Sequence, residues 1–423
     1  MADDNAPAPR RWHRALGPGL ITACVVIGPG SILTSSKVGA EHGYSMSWIV
    51  LASAVFMLTF IQMAARLGVV AKESPGQLLA DRAGRWLAVL IGVSIFFVAS
   101  AFQFGNNLGI HSAFEAYFQF DYIVLVFNAA AIAFLFFFKN IYRALEKLMM
   151  GFVGLMLLAF AANLLFAKPD PTEWARGLVP NGIGSLDLSV LGLVGTTFAI
   201  AAAYFQIYLV RQKGIQREDL PSSLIDSRLG VLLMAAITLM IMGTAAAALK
   251  GIKLEGAADV AMQLEPLFGS WGKALFCLGL FSAAYSSFLI NSMVGGFVLS
   301  DGLGLGSGPE DKWPRYLTAV VLLIGMGVAL FVIKTGTEPL TAIVMAQAVT
   351  VIAAPLLAGV LLWLCNCKDI MGKDRNGWLA NSLGALGFVM LIAMAGYTAF
   401  KSIPKNLEKI KAGTVEPVQP AGK

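Results

Sequence analysis

The sequence predicts an all-α polytopic membrane protein of about eleven transmembrane helices, arranged as an inverted five-plus-five repeat with one added helix. Three observations carry this reading. Hydrophobic residues make up 57% of the chain and charged residues only 13%, well below the ~25% charged of soluble domains. Apolar runs approaching the roughly 20 residues that cross a bilayer recur along the whole length. One of them, Leu16-Gly-Pro-Gly-Leu-Ile-Thr-Ala-Cys-Val-Val-Ile-Gly-Pro-Gly-Ser31, is interrupted near its middle by Gly28-Pro29-Gly30. Proline lacks an amide donor and clashes with the preceding turn, and glycine holds a helix weakly. Unpaired backbone at that depth is tolerated only when buried in protein or facing a water-filled cavity. Interrupted helices of this kind point to the binding site of a secondary transporter.

In chain order, spans are expected near 16–38 (broken), 47–71, 86–110, 122–139, 148–167, 188–210, 229–249, 270–300, 316–334, 340–364 and 378–400. The organisation is then a short cytoplasmic N-terminus (1–15), a first five-helix repeat (16–167), a second (168–366), a loop with the eleventh helix (367–400) and a polar tail (401–423). An odd number of helices per repeat gives the two sets opposite orientation, so the sixth span corresponds to the first. It contains Gly192-Leu-Val-Gly195-Thr-Thr-Phe-Ala-Ile-Ala-Ala-Ala203, which has two glycines and two threonines but no proline. Small residues alone more often mean close helix packing, so the second break rests mainly on the repeat.

The net charge of +6 is a topology signal rather than a nucleic-acid patch. Arg10, Arg11 and Arg14, with the loops that hold Lys72, Arg82, Arg85, Lys312 and Arg315, put the N-terminus in the cytoplasm; 111–121 has no Lys or Arg. Simple alternation does not bring every basic loop to one side, and eleven spans leave Lys401, Lys405, Lys409 and Lys411 outside. The N-terminus lacks the small-residue cleavage pattern of a removable signal peptide. A multi-pass protein of the plasma (inner) membrane follows, with the lipid bilayer as its surroundings and no nucleic acid or obligate protein partner.

Cys24 and Cys277 fall within spans and Cys365 and Cys367 at a helix end, so no disulfide framework is implied. The chain has no Ser/His/Asp set, no clustered Cys/His site and no phosphate-binding glycine loop followed by Lys-Ser/Thr. It is not expected to be an enzyme or to hold a resident cofactor. Gln103, Asn106 and Asn107 share one helix face, as do Ser287 and Asn291 beside Ser286. Such faces line water paths, but interhelical hydrogen bonds are the commoner use. Gln206 is a candidate for the inner vestibule, His111 reads as interfacial, and Glu41, Asp226, Asp301 and Glu338 read as solvated or capping.

These motifs together resemble the Nramp family of divalent metal-ion transporters. Leu16-Gly-Pro-Gly-Leu followed by Gly28-Pro-Gly-Ser31 sits where that family has L-G-P-G-F followed by D-P-G-N. Val38-Gly-Ala-Glu-His-Gly-Tyr44 resembles its A-G-A-x-x-G-Y, and Gly195-Thr-Thr-Phe-Ala-Ile-Ala-Ala-Ala203 falls where it has G-A-T-V-M-P-H-N-L. Ser282-Ala-Ala-Tyr-Ser-Ser287 is similar to its eighth helix, and Ala346-Gln-Ala348 through Lys368-Asp-Ile-Met-Gly372 to its tenth helix and following loop. The resemblance implies a LeuT-like fold with broken first and sixth helices. It implies a metal site at Gly28, Ser31, Thr196, Ala199 and Gln347, with Gln103, Asn106, Asn107, Ala201 and Gln206 lining the path more weakly.

The departures set the expected substrate. The family's metal-binding Asp, Asn and Met are here Gly28, Ser31 and Ala199, and the Pro and His after that Met are Ile200 and Ala201. The third span, Trp86 to His111, contains no Asp or Glu. These changes resemble the divergent Nramp-related magnesium transporters. A thioether suits softer metals whereas Mg2+ prefers oxygen and dehydrates reluctantly. Gly28 and Ala199 also shorten side chains, which is expected to widen the pocket for a largely hydrated ion, bound on the order of millimolar. With the obvious proton carriers gone, the expectation is uncoupled, alternating-access transport of Mg2+, and of Mn2+ with it, as substrate. A proton-coupled Mn2+/Fe2+ importer and an organic-solute transporter on the same fold remain the alternatives.

Overall fold

The computed structural model describes residues 17–402, apart from 116, 119, 138–140, 181–186, 255–256, 336–345 and 347–349. All regular elements among them are helices. The first expected span is two helices, α1 (Pro18–Val26) and α2 (Pro29–His42), bent by 56° where Ile27 and Gly28 leave helical geometry. Pro29 supplies no amide and has a preset φ, so it opens α2. There follow α3 (Ser47–Val70), α4 (Pro75–Ala83), α5 (Arg85–Glu115), α6 (Ile123–Phe137), α7 (Ile141–Ala167) and α8 (Pro171–Gly177). The sixth span is also split, into α9 (Leu188–Thr197) and α10 (Ile200–Lys213), with Phe198 and Ala199 non-helical between them. The chain continues through α11 (Leu220–Ala248), α12 (Ala257–Leu303), α13 (Lys312–Thr335), α14 (Ala354–Asn366), α15 (Lys368–Met371) and α16 (Trp378–Tyr397).

Among the described residues eight helices are long and apolar enough to cross a membrane, or ten with each bent pair as one span, and α6 is a shorter apolar helix of 15 residues. The tenth expected span, 340–364, is described chiefly from Ala354 on; residues 1–15, Lys139 and the Lys-bearing tail lie outside the described residues. The seventh span begins at Leu220 rather than at 229, because Pro221 and two serines start α11 with polar turns that no hydropathy window includes. Polar helices α4 and α8 were likewise not expected. Each has a side-chain cap, Ser74 accepting from the Gln77 amide and Asp170 from the Thr172 and Glu173 amides, with proline in the first turn.

Burial sorts the spans into centre and periphery. Of the apolar stretch in Leu188–Lys213, 89% is buried, against 28% in Trp378–Phe400. The long α12, whose left-handed Gly269 (φ 69°) separates an initial segment from the span Gly269–Leu303, packs on α5, α7 and α13. Large apolar side chains such as Phe331, Leu386 and Val389 point outward, as lipid-facing positions require.

The first break sits against α5 because Gly109 has no side chain: a Cβ there would lie 2.3 Å from both Cβ and Cγ of Pro29. Gly109→Ala should therefore lower stability by about 1–3 kcal/mol through overpacking. Thermal unfolding in detergent reads this, with Gly151→Ala, which meets nothing within 4 Å, as the control. Equal melting temperatures for the two variants would contradict the close contact.

Candidate functional site

Two breaks in two helices create the site. At the first, the Ile27 amide bonds to Ala23 O and the Gly28 amide to Val26 O, and Gly28 is extended (φ −105°, ψ 179°). At the second, the Phe198 amide closes α9 on Val194 O, so the carbonyls of Gly195, Thr196 and Thr197 lie beyond the last helical bond. These C-terminal carbonyls carry the partial negative end of the helix dipole. Phe198 fixes this break by packing on Phe56 and Phe60 of α3, with ring centroids 5.8 and 5.5 Å apart.

A cavity lies at the second break and reaches α1 at Val25. Its wall is mainly apolar, with Phe102 of α5, Leu357 of α14 and Leu391 of α16 beside Phe198 to Ala202, and includes Asn291 of α12. About 20 Å³ of it admits the centre of a water molecule, which is room for about one or two waters. Gly28 is not part of this wall. The reason is local: a Cβ on Gly28 would lie 2.9 Å from Ser287 Oγ and 3.2 Å from Asn106 Oδ1. Neighbouring polar groups already fill the space that a short residue at 28 leaves.

The expected site residues separate into three groups. Ala199 and Ala201 line the cavity. Gly28 and Ser31 are buried at the first break, and Ser31 Oγ is without a hydrogen-bond partner. Thr196 is on α9, but its hydroxyl donates to Leu193 O at 3.1 Å within its own helix. The hydroxyl without a partner is that of the next residue, Thr197. An i, i+3 face shared by Gly28 and Ser31, or by Thr196 and Ala199, does not form, because Gly28 and Ala199 are the non-helical residues. Gln347 lies outside the described residues.

The weaker candidates are mostly engaged in packing. Asn107 accepts from Asn128 Nδ2 at 2.7 Å, an interhelical bond between α5 and α6, and donates to Gln103 O. Asn106 Nδ2 donates to Gln103 Oε1 at 3.3 Å, which turns Asn106 Oδ1 towards Gly28. Gln206 is fully buried, accepting from Thr22 Oγ1 at 2.6 Å and donating to Ser227 Oγ at 3.4 Å. It links α1, α10 and α11 rather than lining an open vestibule. His111 is buried near the end of α5, with ring nitrogens 3.6 Å from Glu115 and 3.5 Å from Asp121.

Of the carboxylates expected to be solvated or capping, Asp226 and Asp301 are buried and cap helix starts. Asp226 on α11 accepts the amides of Gly17 at 3.0 Å and Gly19 at 2.6 Å, and so caps the start of α1. Asp301 on α12 accepts from Ser74 Oγ at 2.5 Å, the Gly76 amide at 2.7 Å and Tyr208 Oη at 2.7 Å, tying α4 and α10 to α12. At the other end of the broken pair, His42 Nε2 lies 2.8 Å from Asp187 Oδ2, joining the end of α2 to the start of α9. The residues that sequence reasoning underweighted are Thr197, Ser287 and Asn291. The signals for them were the doubled threonine and the i, i+4 pair on the eighth span.

Comparison with known proteins agrees with this architecture. Over 392 residues the chain is 25% identical to a protein of Erwinia tasmaniensis described as divalent metal cation transporter MntH, covering 90% of this chain and 93% of that one. A Bacillus subtilis protein of the same description is 24% identical over 396 residues, with 90% of each chain covered. The crystal structure of the Eremococcus coleocola manganese transporter superposes with a TM-score of 0.81 at 17% identity, over 98% of this chain and 91% of that one. MhsT in complex with L-phenylalanine superposes at 0.58 and 14% identity, over 89% and 98%. These structures show the LeuT-like fold. The family model described as natural resistance-associated macrophage protein-like matches residues 19–401, and the chain belongs to the Nramp family.

Proposed function

We propose that this protein carries divalent cations across the membrane by alternating access, Mg2+ foremost and Mn2+ with it, without moving a proton in exchange. The observation that carries the reading is the composition of the paired breaks. Helix-end carbonyls stand at the second break, and the mainly apolar cavity beside it carries the uncharged Asn291 on its wall, with no thioether and no carboxylate among its described residues. Neutral oxygen donors suit hard cations, and the absence of sulfur removes the preference for softer ones. The MntH relatives support divalent cations as the substrate class. Because the cavity holds about one or two waters, an ion that keeps most of its hydration shell requires the half-helices to part around it.

The second reading, proton-coupled Mn2+ import, draws on the manganese transporter among the structural relatives. Against it stands a third span without Asp or Glu from Trp86 to His111, since coupling needs a group that gains and loses a proton along the path. Uptake by proteoliposomes separates the two. Mg2+ and Mn2+ should both enter, excess Mg2+ should suppress Mn2+ entry, and a trapped pH dye should report no acidification. Mn2+ uptake indifferent to excess Mg2+, or acidification driven by either ion, would overturn the proposal.

A further inference from the structure

Ser287 and Asn291 stand one turn apart on α12, facing the first break. Ser287 Oγ lies 3.1 Å from Val25 O, and a carbonyl oxygen can only accept, so the hydroxyl's single proton is donated there. Towards Asn291, at 2.7 Å, the same oxygen must then accept. This fixes the amide: Nδ2 faces Ser287, and Oδ1 is the end left over. Asn291 is 4% exposed, it is part of the cavity wall, and no described residue donates to its Oδ1. An amide oxygen on a cavity wall with no protein donor is open to water or a cation.

We infer that Asn291 supplies its Oδ1 as an oxygen ligand to the transported divalent cation, and that Ser287 is the positioning residue that aims it. This rests on the transport reading above. Ser287, which holds the Asn291 amide, also stands where a side chain at residue 28 would project, since a Cβ there would come within 2.9 Å of Ser287 Oγ. An amide oxygen is a hard donor suited to Mg2+ and Mn2+, and without charge it binds weakly and releases readily. The site is selective by donor type while its affinity stays low.

The test is initial-rate uptake of Mg2+ and of Mn2+ by proteoliposomes carrying the full chain or Asn291→Asp, Asn291→Ala, Ser287→Ala or Ser287→Thr. Asn291→Asp keeps the shape and adds a charge, so KM for both ions should fall by about 10-fold with a lower kcat from slowed release. Asn291→Ala should raise KM several-fold. Ser287→Ala should raise KM with kcat little changed, and Ser287→Thr, which retains the hydroxyl, should restore it. Size-exclusion profiles and melting temperatures identify any variant that fails to assemble, and the isosteric Asn291→Asp carries the test if Asn291→Ala does. Unchanged KM in Asn291→Asp alongside an active parent overturns the ligand assignment alone. A parent that takes up neither ion overturns the transport reading beneath it.

Discussion

Gly28→Asp alone is expected to abolish uptake and destabilise the protein, even though it restores the carboxylate that the Nramp family has at this position. The new Cβ would stand 2.9 Å from Ser287 Oγ, 3.3 Å from Ser287 Cβ and 3.2 Å from Asn106 Oδ1. Ser287 would have to swing away, losing its bond to Val25 O and the one it receives from Asn291. Each buried bond lost costs about 1–3 kcal/mol when a partner is left unsatisfied. The carboxylate would also arrive beside the Asn106 amide oxygen, an acceptor that offers it no proton. Combining Gly28→Asp with Ser287→Ala removes the obstructing hydroxyl and should recover part of the stability. The two substitutions are then strongly non-additive, as expected for residues in contact. Melting midpoints of the parent, both single variants and the double variant measure this. Adding Ala199→Met to the double variant supplies the thioether and should shift preference from Mg2+ towards Mn2+. Additive midpoints would mean that Ser287 does not occupy the space beside Gly28.

The second large effect is expected at Asp301. Its side chain accepts three hydrogen bonds, from Ser74, the Gly76 amide and Tyr208, while it is 4% exposed. Asp301→Ala leaves all three donors buried without their acceptor, for a loss of about 3–5 kcal/mol. Because Tyr208 is on α10 and Ser74 precedes α4, the loss should also free the second half of the split sixth span from α12. The expected readouts are a lower melting temperature in detergent and faster proteolysis within 72–85, the segment around α4. Tyr208→Phe, which removes one donor and leaves no orphaned acceptor charge, should cost about 1 kcal/mol. Equal losses for the two variants would show that Asp301 is not the hub of this contact.

The helical membrane class and the break at Gly28 were legible because they depend on local chemistry. Proline and two glycines interrupt a helix whatever surrounds them, and the structure bends the chain by 56° there. The second break was legible only by symmetry. No proline announces it, and Phe198 leaves helical geometry while its ring is held by Phe56 and Phe60 of a distant helix. Burial of Asp226 and Asp301 was not legible. A carboxylate at the polar end of an apolar run reads equally as solvated or capping until a second helix start presents its unpaired amides to it.

The sequence alone determined the membrane class and the position of the first break. Each of these is a property of residues adjacent in the chain. Tertiary structure alone decided what fills the resulting space. Helical periodicity places Ser287 and Asn291 on one face, but the carbonyl that Ser287 meets belongs to Val25, 262 residues away. Which face meets which break is set by how whole helices pack. That packing sets Ser287 and Asn106 where a side chain at residue 28 would stand.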